Sequence, residues 1–437
     1  MSSIISYVPE EYVEIKHPNW TQNATIYQVN IRQFTPEGTF RSFEEHLLRI
    51  KELGIDIIWL MPIHPIGIKG RKGSLGSGYS VRDYFGVNEE FGTLDDFKHL
   101  VNSIHDLGMY IILDWVANHS ALDNALTTTH PEWYSRNKSG NFMPTPWYDW
   151  DDIIEFNYDN AGLREYMTGA LTFWVRETGI DGYRCDVAGF VPLDFWENAR
   201  RELDNIKPVF MLAEWESRDL LKKSFDMVYS WSLWEKMLEA INHKNIAPLV
   251  EWMGHQTKAF PRDGISMSFI ENHDKNAWEG NQFSNFGDGL EAAIILTVMV
   301  KGMPLIYGGQ EAGLAHSLKF FDKDSIHWQE SRIGELYKSL FQLKHLNRAL
   351  WNASSGGDMV RINHNHEDKA IAFSREKEGH AILAMVNFSD ETVCLNLANP
   401  DCQGEFVDWF SKETVEAETL STVNLAPWGY KVLSRVA

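Results

Sequence analysis

Cysteine is scarce in this 437-residue chain, which contains only Cys185, Cys394 and Cys402. None of the three lies in a C-x-x-C pair, and an odd number cannot complete a disulfide framework. The first residues also lack a basic segment followed by a long apolar run, which is the pattern of a signal peptide. A cytoplasmic protein without structural disulfides is therefore the default expectation.

Basic residues are also relatively few: the chain has 40 Lys and Arg residues and 61 Asp and Glu residues, which gives a net charge of −21. A chain this acidic repels phosphate groups, so neither nucleic acid nor an anionic membrane surface is an expected partner. No apolar run approaches the roughly 18 residues of a membrane-spanning helix. Aromatic side chains are instead abundant, with 17 Trp, 24 Phe and 15 Tyr, which indicates a folded rather than a disordered protein.

Short β-rich runs alternate with amphipathic helical stretches from about Asn23 to Tyr307. So many repeats in roughly 300 residues predict an α/β fold of the (β/α)₈ TIM-barrel type, whereas a doubly wound open sheet, the main alternative, rarely has as many. The predicted strands are Thr25–Ile31, Ile55–Met61, Tyr110–Val116, Ile180–Asp186, Pro208–Glu214, Phe225–Tyr229, Gly264–Ile270 and Met303–Tyr307.

Capping signals mark the starts of two predicted helices. Ser42-Phe-Glu-Glu45 has the form of a capping box, and Gly54 would end the helix that follows. Thr93-Leu-Asp-Asp96 predicts a second start, and Gly108 would end that helix.

Changes of composition divide the chain into an N-terminal extension (1–22), a catalytic barrel (23–116 and 161–352) and two further parts. Residues 117–160 are rich in Trp, Pro, Asn and Asp, and so long a connection predicts a lid or a small inserted domain. Residues 355–437 contain short strands and turns, which predict a C-terminal antiparallel β-sandwich domain. Its predicted strands are Met359–Asn363, Ala370–Arg375, His380–Asn387, Thr392–Leu397 and Gly429–Val436.

Polar residues cluster where the predicted barrel strands end, which is where catalytic groups project in such a barrel. Arg184 and Asp186 lie two residues apart on one strand, so their side chains point to the same face. The sequence thus predicts that acids, histidines and an arginine converge at one end of the barrel. The residues concerned are Asp114, Asn118, His119, Arg184, Asp186, Glu214, Glu271, Asn272, His273 and Asp274.

Paired carboxyl groups of this kind suit the hydrolysis of sugars. One carboxylate attacks the anomeric carbon, while a protonated carboxyl group protonates the leaving oxygen. Neighbouring anions raise the pKa of the acid, and a nearby arginine keeps the attacking carboxylate ionised. A His/Asp cluster can also bind a metal ion, but the chain has no H-E-x-x-H or C-x-x-C spacing that would favour zinc.

The strand-end motifs resemble those of the α-amylase family, glycoside hydrolase family 13. The resemblance extends from Tyr27 into the C-terminal domain, and seven segments in order are specific where any one would be weak. They are Gly54-Ile-Asp-Ile-Ile-Trp-Leu-Met-Pro62, Gly78-Tyr79, Asp114-Trp-Val-Ala-Asn-His119, Gly182-Tyr-Arg-Cys-Asp186, Ala213-Glu214-Trp215, Phe269-Ile-Glu-Asn-His-Asp274 and Tyr307-Gly-Gly-Gln-Glu311.

The resemblance implies a retaining mechanism with a role for each of three acids. Asp186 would be the nucleophile, and Glu214 would be the general acid and then the base that activates water. Asp274 would bind sugar hydroxyls and distort the ring, and Arg184 would orient Asp186. The carboxyl groups of the nucleophile and the acid should then lie roughly 5–5.5 Å apart.

Further residues are implied as substrate contacts. His119 and His273 would form hydrogen bonds to hydroxyls of the reacting sugar, and Tyr79 would stack under its ring. Trp150 and Trp215 are predicted platforms for other sugar units, because the CH faces of sugars pack on aromatic rings. Asp114 lies deep in its strand, where a structural and a functional role are both open.

Many members of the family bind Ca²⁺ between the barrel and the inserted segment. The resemblance implies Asn118 as one oxygen ligand, with Glu155 as a second candidate. Glu155 replaces the usual Asp of the segment Glu155-Phe-Asn-Tyr-Asp-Asn160, and Thr35-Pro-Glu-Gly38 replaces an Asp-rich calcium loop of other relatives. At most one structural calcium ion is expected, and no organic cofactor.

The expected reaction is hydrolysis of α-1,4-glucosidic bonds in an α-glucan, either starch or maltooligosaccharides. Gly189 and Phe190 stand where endo-acting members carry Lys-His, and Gly76 stands where exo-acting α-glucosidases carry Asp. An exo-acting α-glucosidase, a cyclomaltodextrinase and a transglycosylase therefore remain alternatives. The remaining alternative from another class is a catalytically silent binding protein, and the sequence does not specify an oligomeric state.

Overall fold

The computed structural model describes residues 11–398, 404–417 and 420–437. Cys402 and the first ten residues of the predicted N-terminal extension lie outside the described residues. The strands described are β1 (Ile26–Val29), β2 (Ile57–Leu60), β3 (Tyr110–Trp115), β4 (His119–Ala121), β5 (Ile153–Glu155), β6 (Gly182–Cys185), β7 (Phe210–Ala213), β8 (Met227–Tyr229), β9 (Ile265–Phe269), β10 (Met303–Tyr307), β11 (Val360–Arg361), β12 (Ala370–Lys377), β13 (His380–Asn387), β14 (Val393–Asn396), β15 (Glu405–Asp408), β16 (Thr414–Glu416), β17 (Thr422–Leu425) and β18 (Tyr430–Arg435).

The helices described are α1 (Ile31–Phe34), α2 (Phe40–Glu44), α3 (Leu47–Leu53), α4 (Leu94–Asp106), α5 (Leu126–Thr129), α6 (Ala161–Thr178), α7 (Leu193–Asp204), α8 (Trp231–His243), α9 (Ala247–Ala259), α10 (Gln282–Phe286), α11 (Leu290–Met299) and α12 (Arg332–Leu346). Across the described ranges, none of these helices combines the length and the apolar character needed to cross a bilayer.

Eight parallel strands close into a barrel in the order β1-β10-β9-β8-β7-β6-β3-β2. The predicted (β/α)₈ barrel is confirmed, and the open sheet is excluded. Every residue of β2 is buried, as are those of β9 and β10, because helices cover the outer face and side chains fill the interior. Since all eight strands are parallel, their carboxyl ends meet at one rim.

The first predicted helix start was wrong by three residues. Helix α2 begins at Phe40, and Thr39 caps it through a capping box in which Ser42 is the reciprocal partner. The Ser42 hydroxyl accepts a hydrogen bond from the Thr39 N–H. Ser42 is therefore the third residue of the helix and not the residue that caps it. The start at Thr93 is confirmed, because Thr93 and Asp96 form the expected capping box of α4.

Two regions lie outside the barrel sheet. Between β3 and α6, strands β4 and β5 form a two-stranded antiparallel sheet in which His119 is paired with Glu155. After the barrel, a six-stranded sheet in the order β11-β12-β13-β18-β15-β16 faces the two-stranded sheet β14-β17. Side chains from both sheets, including Leu383, Leu395 and Val423, share one apolar core, which confirms an antiparallel β-domain.

Three strands of the C-terminal domain, β15, β16 and β17, were not predicted from the sequence. Each has only three or four residues, and in β15 and β17 exposed and buried residues alternate. So short a pattern cannot be distinguished from a loop by periodicity alone.

Arg375 joins this β-domain to the barrel, and its side chain is fully buried. Its Nη1 donates to the carbonyls of Met299 and Val300, at the carboxyl end of α11, at 3.0 and 2.8 Å. Its Nε and Nη2 donate to the carbonyls of Gly357 and Trp351 at 2.9 and 3.0 Å. One guanidinium therefore satisfies carbonyls from three separate segments.

We predict that Arg375→Met destabilises the protein by roughly 3 kcal/mol or more, because a buried carbonyl that loses its partner costs about 1–3 kcal/mol. Thermal and urea unfolding measure the loss. Arg361→Met is the matched control, since Arg361 lies on neighbouring β11 and forms an exposed ion pair with Glu367. The control should change stability by less than about 0.5 kcal/mol, and an equal loss in both variants would contradict the assignment.

Candidate active site

Four barrel strands, β3, β6, β7 and β9, bring the predicted catalytic residues to one rim. Asp114 and Arg184 lie within β3 and β6, Asp186 directly follows β6, and Glu214 directly follows β7. Asp274 lies at the start of a short helical segment after β9. Because parallel strands end at the same rim, these groups surround one cavity, as the sequence predicted.

The guanidinium of Arg184 is fully buried at the centre of the site. Its Nη1 donates to Asp114 Oδ1 at 2.8 Å and to Asp186 Oδ1 at 2.9 Å, while Nη2 lies 3.0 Å from Glu214 Oε2. Its Nε donates to the hydroxyl of Tyr229 at 3.2 Å. One cation thus faces three carboxyl groups. A buried site cannot hold three negative charges against one positive charge, so protons are retained near neutral pH.

Glu214 holds its proton most strongly. Burial, together with the charges of Asp186 and Asp274, raises the pKa of Glu214 to about 8, although Arg184 opposes the shift. Burial also raises the pKa of Asp186, to about 7, against the same guanidinium. Both groups are therefore harder to ionise than free carboxyl groups, and the direct hydrogen bond that Asp186 receives from Arg184 favours its ionised form.

A tight turn after β6 also fixes the orientation of Glu214. Val187 has a φ of +35°, which a β-branched residue rarely adopts, and its N–H donates to Glu214 Oε2 at 2.7 Å. Oε2 accepts this hydrogen bond, so the proton of the neutral acid lies on the other oxygen, Oε1.

Tyr79 and His273 form a second network beside Asp114. The Tyr79 hydroxyl donates to Asp114 Oδ2 at 3.0 Å and lies 2.8 Å from His273 Nε2, and the two rings stack with centroids 5.3 Å apart. Gln28 Nε2 lies 2.6 Å from His273 Nδ1, and the backbone N–H of His273 donates to Gln28 Oε1 at 3.2 Å. His273 Nε2 also lies 3.2 Å from Asp274 Oδ2. The sequence analysis missed Gln28, whose only signal was an amide side chain inside the buried strand β1.

His119 also lines the cavity, next to Trp150. Burial lowers the pKa of His119 and of His273 to about 4, so both imidazoles are neutral at physiological pH. The rings of His119 and Trp150 have centroids 5.8 Å apart, and Tyr148 stacks on Trp150 at 4.3 Å.

The cavity has a volume of about 520 Å³, and most of the predicted residues line it. Arg184 does not itself line the cavity, but it contacts Asp186 and Glu214, which do. The loops add residues that the sequence analysis did not select, because nothing in the sequence shows which loop side chains face inward. These residues are Lys72, Ser77, Asp149, Asp152, Ile153, Val187, Trp278, Phe320 and Phe321.

Trp215 is not among the residues that line the cavity, in contrast to Trp150. Its ring packs against Phe190 and Trp231, with centroids 5.1 and 6.1 Å away. A Cβ atom at Gly189 would lie 2.2 Å from the Trp215 ring, so this packing requires glycine there. The departure from the Lys-His of endo-acting members thus coincides with a tryptophan that fills the space.

The residues predicted as calcium ligands do not form a set that suits the ion. The Asn118 amide nitrogen donates to Thr145 Oγ1 at 2.9 Å, and Glu155 lies on β5, paired with His119 of β4. Lys72 Nζ lies 3.0 Å from Asp151 Oδ1 and 3.5 Å from Asp152 Oδ1, so an ammonium already balances the nearby acids. Over the described ranges, no three His, Cys, Asp or Glu side chains come together as metal ligands.

Comparison with known proteins agrees with this geometry. Residues 16–378 match the family model of the α-amylase catalytic domain, and residues 360–432 match the C-terminal domain of maltogenic amylase. The chain belongs to the α-amylase family. It is a glycoside hydrolase, and the resemblance inferred from the strand-end motifs is confirmed.

Among solved structures, a noncanonic maltogenic α-amylase AmyB from Thermotoga neapolitana is 32% identical, with a TM-score of 0.86 over 95% of this chain and 99% of that one. An α-amylase from Lactobacillus plantarum is 29% identical, with a TM-score of 0.84 over 95% and 100%. The curated α-amylase MalA of Haloarcula japonica is 25% identical over 87% of this chain. This chain spans only 57% of the length of MalA.

We predict that a chelator has no effect on stability or activity. Dialysis against EDTA should leave Tm and the rate of maltoheptaose hydrolysis unchanged, because Lys72 already supplies the positive charge beside Asp151 and Asp152. A calcium-dependent amylase treated in parallel is the control. A lower Tm that added Ca²⁺ restores would show that the chain binds calcium after all.

Proposed function

We propose that this member of the α-amylase family is a retaining hydrolase of α-1,4-glucosidic bonds in maltooligosaccharides and starch fragments. The observation that carries the proposal is the shared contact of the Arg184 guanidinium with Asp186 and Glu214. It holds an attacking carboxylate and a protonated acid in the same cavity, which are the two groups that double displacement requires.

In the first step, an oxygen of Asp186 forms a bond to the anomeric carbon while the bond from that carbon to the glycosidic oxygen breaks. Glu214 transfers its proton from Oε1 to the leaving oxygen, and a covalent glycosyl ester remains on Asp186. In the second step, the Glu214 carboxylate takes a proton from water as the water oxygen attacks the anomeric carbon. The ester bond breaks, Asp186 leaves as a carboxylate, and the configuration is retained.

Residues around the acids suit the binding of the reacting sugar. His119 and His273 are neutral, so these two polar rings line the site without adding charge to it. Asp274 has a side chain that is 38% exposed in the cavity, where a carboxylate can accept from two hydroxyls. The Tyr79 ring is held by its stack on His273 and offers an apolar face to the sugar.

A second candidate is a cyclomaltodextrinase or a related transglycosylase of the same family. Cyclomaltodextrinase is the name of a 25%-identical relative from Bacillus sp., and this chain covers 73% of its length. In a transglycosylase the first step is the same, and a sugar hydroxyl instead of water attacks the ester. Product analysis distinguishes these outcomes.

We predict that the protein releases α-configured products from maltoheptaose. Proton NMR during the first turnovers should show the α-anomer before mutarotation, because two inversions at one carbon restore its configuration. Asp186→Asn should lower kcat by roughly 10⁴-fold or more, because no ester can form. An initial β-anomer would contradict the retaining assignment, and cleavage of cyclodextrins in preference to maltoheptaose would favour the second candidate.

We also predict a basic limb in the pH profile that depends on Glu214. Because its raised pKa is about 8, Glu214 is protonated below that pH and loses the proton as the pH rises through it, so kcat/KM should fall above about pH 8. In Glu214→Gln, kcat should drop by roughly 10²–10⁴-fold and this limb should disappear. A glycosyl fluoride, whose leaving group needs little protonation, should recover much of the loss. A limb that persists in the variant would assign it to another group.

A further inference from the structure

The position of Glu214 defines which side of the cavity receives the leaving group. Glu214 follows β7, and in the closed order of the barrel β7 lies four strands from β1 in either direction. The strand directly across the barrel from the acid is therefore β1. The loops that flank β1 on the rim are those after β2 and after β10.

These two flanking loops are joined to each other. The N–H and the hydroxyl of Ser74, in the loop after β2, donate to Asp322 Oδ1 at 2.8 and 2.5 Å. The Leu75 N–H donates to the carbonyl of Phe321 at 3.0 Å. Phe320 and Phe321 line the cavity beside this junction, and Phe320 stacks on Tyr79 with centroids 6.2 Å apart.

Helix α1, which directly follows β1, forms hydrogen bonds to both loops. Arg32 Nη1 donates to the carbonyl of Gly76 at 2.8 Å. Gln33 Nε2 donates to the carbonyls of Lys319 and Asp322 at 2.6 and 2.7 Å. The junction is thus anchored to the barrel and is not a chance contact between two surface loops.

Lys72, in the loop after β2, connects this junction to the segment between β3 and α6. Its Nζ donates to the carbonyl of Asp149 at 3.0 Å and lies 3.0 Å from Asp151 Oδ1. Lys72, Asp149 and Trp150 all line the cavity. Three loops therefore form one connected wall, which we call the tied wall, held by Lys72 at one joint and by Ser74 and Asp322 at the other.

The side next to the acid has no comparable wall. Of the described residues that line the cavity, the loop after β7 supplies only Glu214 and the loop after β8 supplies none. Most of the residues that line the cavity thus come from the loops after β2, β3 and β10, and few come from the strand ends beside the acid. The cavity volume of about 520 Å³ lies within the roughly 300–1,000 Å³ of sites that enclose one small ligand rather than a polymer.

We propose that the tied wall blocks the non-reducing side of the cleft, so that the enzyme takes the end of an α-glucan chain and releases short products of fixed length. This inference rests on the proposed function. The acid protonates the oxygen of the reducing-side fragment, so that fragment leaves past Glu214, while the glycosyl unit bound to Asp186 extends towards the wall. Lys72 and Asp322 are the specificity-determining residues, because each closes one joint of the wall.

The test compares nitrophenyl maltoheptaoside with a free non-reducing end and the same compound with an ethylidene cap on that end. Chromatography of the nitrophenyl products measures where and how fast each is cleaved. The wild type should cleave the uncapped compound at one main position from the first turnovers, and should cleave the capped compound at least roughly tenfold more slowly. Rates for the two compounds within about twofold of each other would overturn the inference while leaving the proposed function intact. If neither compound is cleaved, the proposed function fails and the inference with it.

Removing the contacts at either joint should reduce the discrimination between the uncapped and the capped compound. Lys72→Met and Asp322→Ala should each raise the capped-to-uncapped rate ratio by roughly fivefold or more, and should spread the cleavage positions. Lys98→Met is the matched control, because Lys98 pairs with Glu177 on the outside of the barrel and should leave the ratio unchanged. A Ser74→Ala variant makes the same test with a smaller change if Asp322→Ala lowers Tm. Unchanged ratios in folded variants of both joints would overturn the role of the wall.

Discussion

The structure of the active site depends on one buried guanidinium that is shared by three carboxyl groups. Arg184 on β6 contacts Asp114 on β3 and reaches the groups that follow β6 and β7, strands that are adjacent in the barrel. Trp59 on β2 donates to Asp114, and Tyr229 on β8 accepts from Arg184, so five consecutive strands contribute to one polar layer inside the barrel. Removing the cation would leave buried acids without a partner, which is far more costly than losing one surface ion pair. The same polar layer therefore contributes both to the stability of the closed barrel and to the protonation states of the acids.

Because the cation is shared unequally, two carboxyl groups in one cavity can have different protonation states. Asp186 receives a direct hydrogen bond from Nη1, whereas Glu214 receives its hydrogen bond from the N–H of Val187 and is the harder of the two to ionise. Histidines that burial keeps neutral surround this pair and add no further charge. In the proposed mechanism the barrel supplies the reacting groups, while the tied wall limits how much of a glucan chain enters the cavity.

The sequence allowed the barrel and the candidate acids to be predicted, because strand patterns are local and the strand-end motifs resemble those of the α-amylase family. Buried strands such as β2 are short apolar runs, and Glu214 stands directly after one of them, β7, whereas Asp186 follows the Gly-Tyr-Arg-Cys motif of β6. Residues whose roles depend on distant contacts could not be recognised in this way. Gln28 acts on His273, 245 positions away, and Ser74 joins Asp322 across 248 positions. Trp215 follows Glu214 in sequence, yet its ring packs outside the cavity against Phe190, and only the structure shows this.

The most direct test of the shared-guanidinium account is to trap the covalent intermediate. Glu214→Gln is incubated with a fluorinated α-maltosyl fluoride, which forms the ester quickly but hydrolyses slowly, and the digested protein is analysed by mass spectrometry. The account predicts a single glycosyl adduct on the peptide that contains Asp186, the carboxyl group that receives a direct hydrogen bond from Arg184. An adduct on Asp114 or Asp274, or turnover of the fluoride without any adduct, would contradict it.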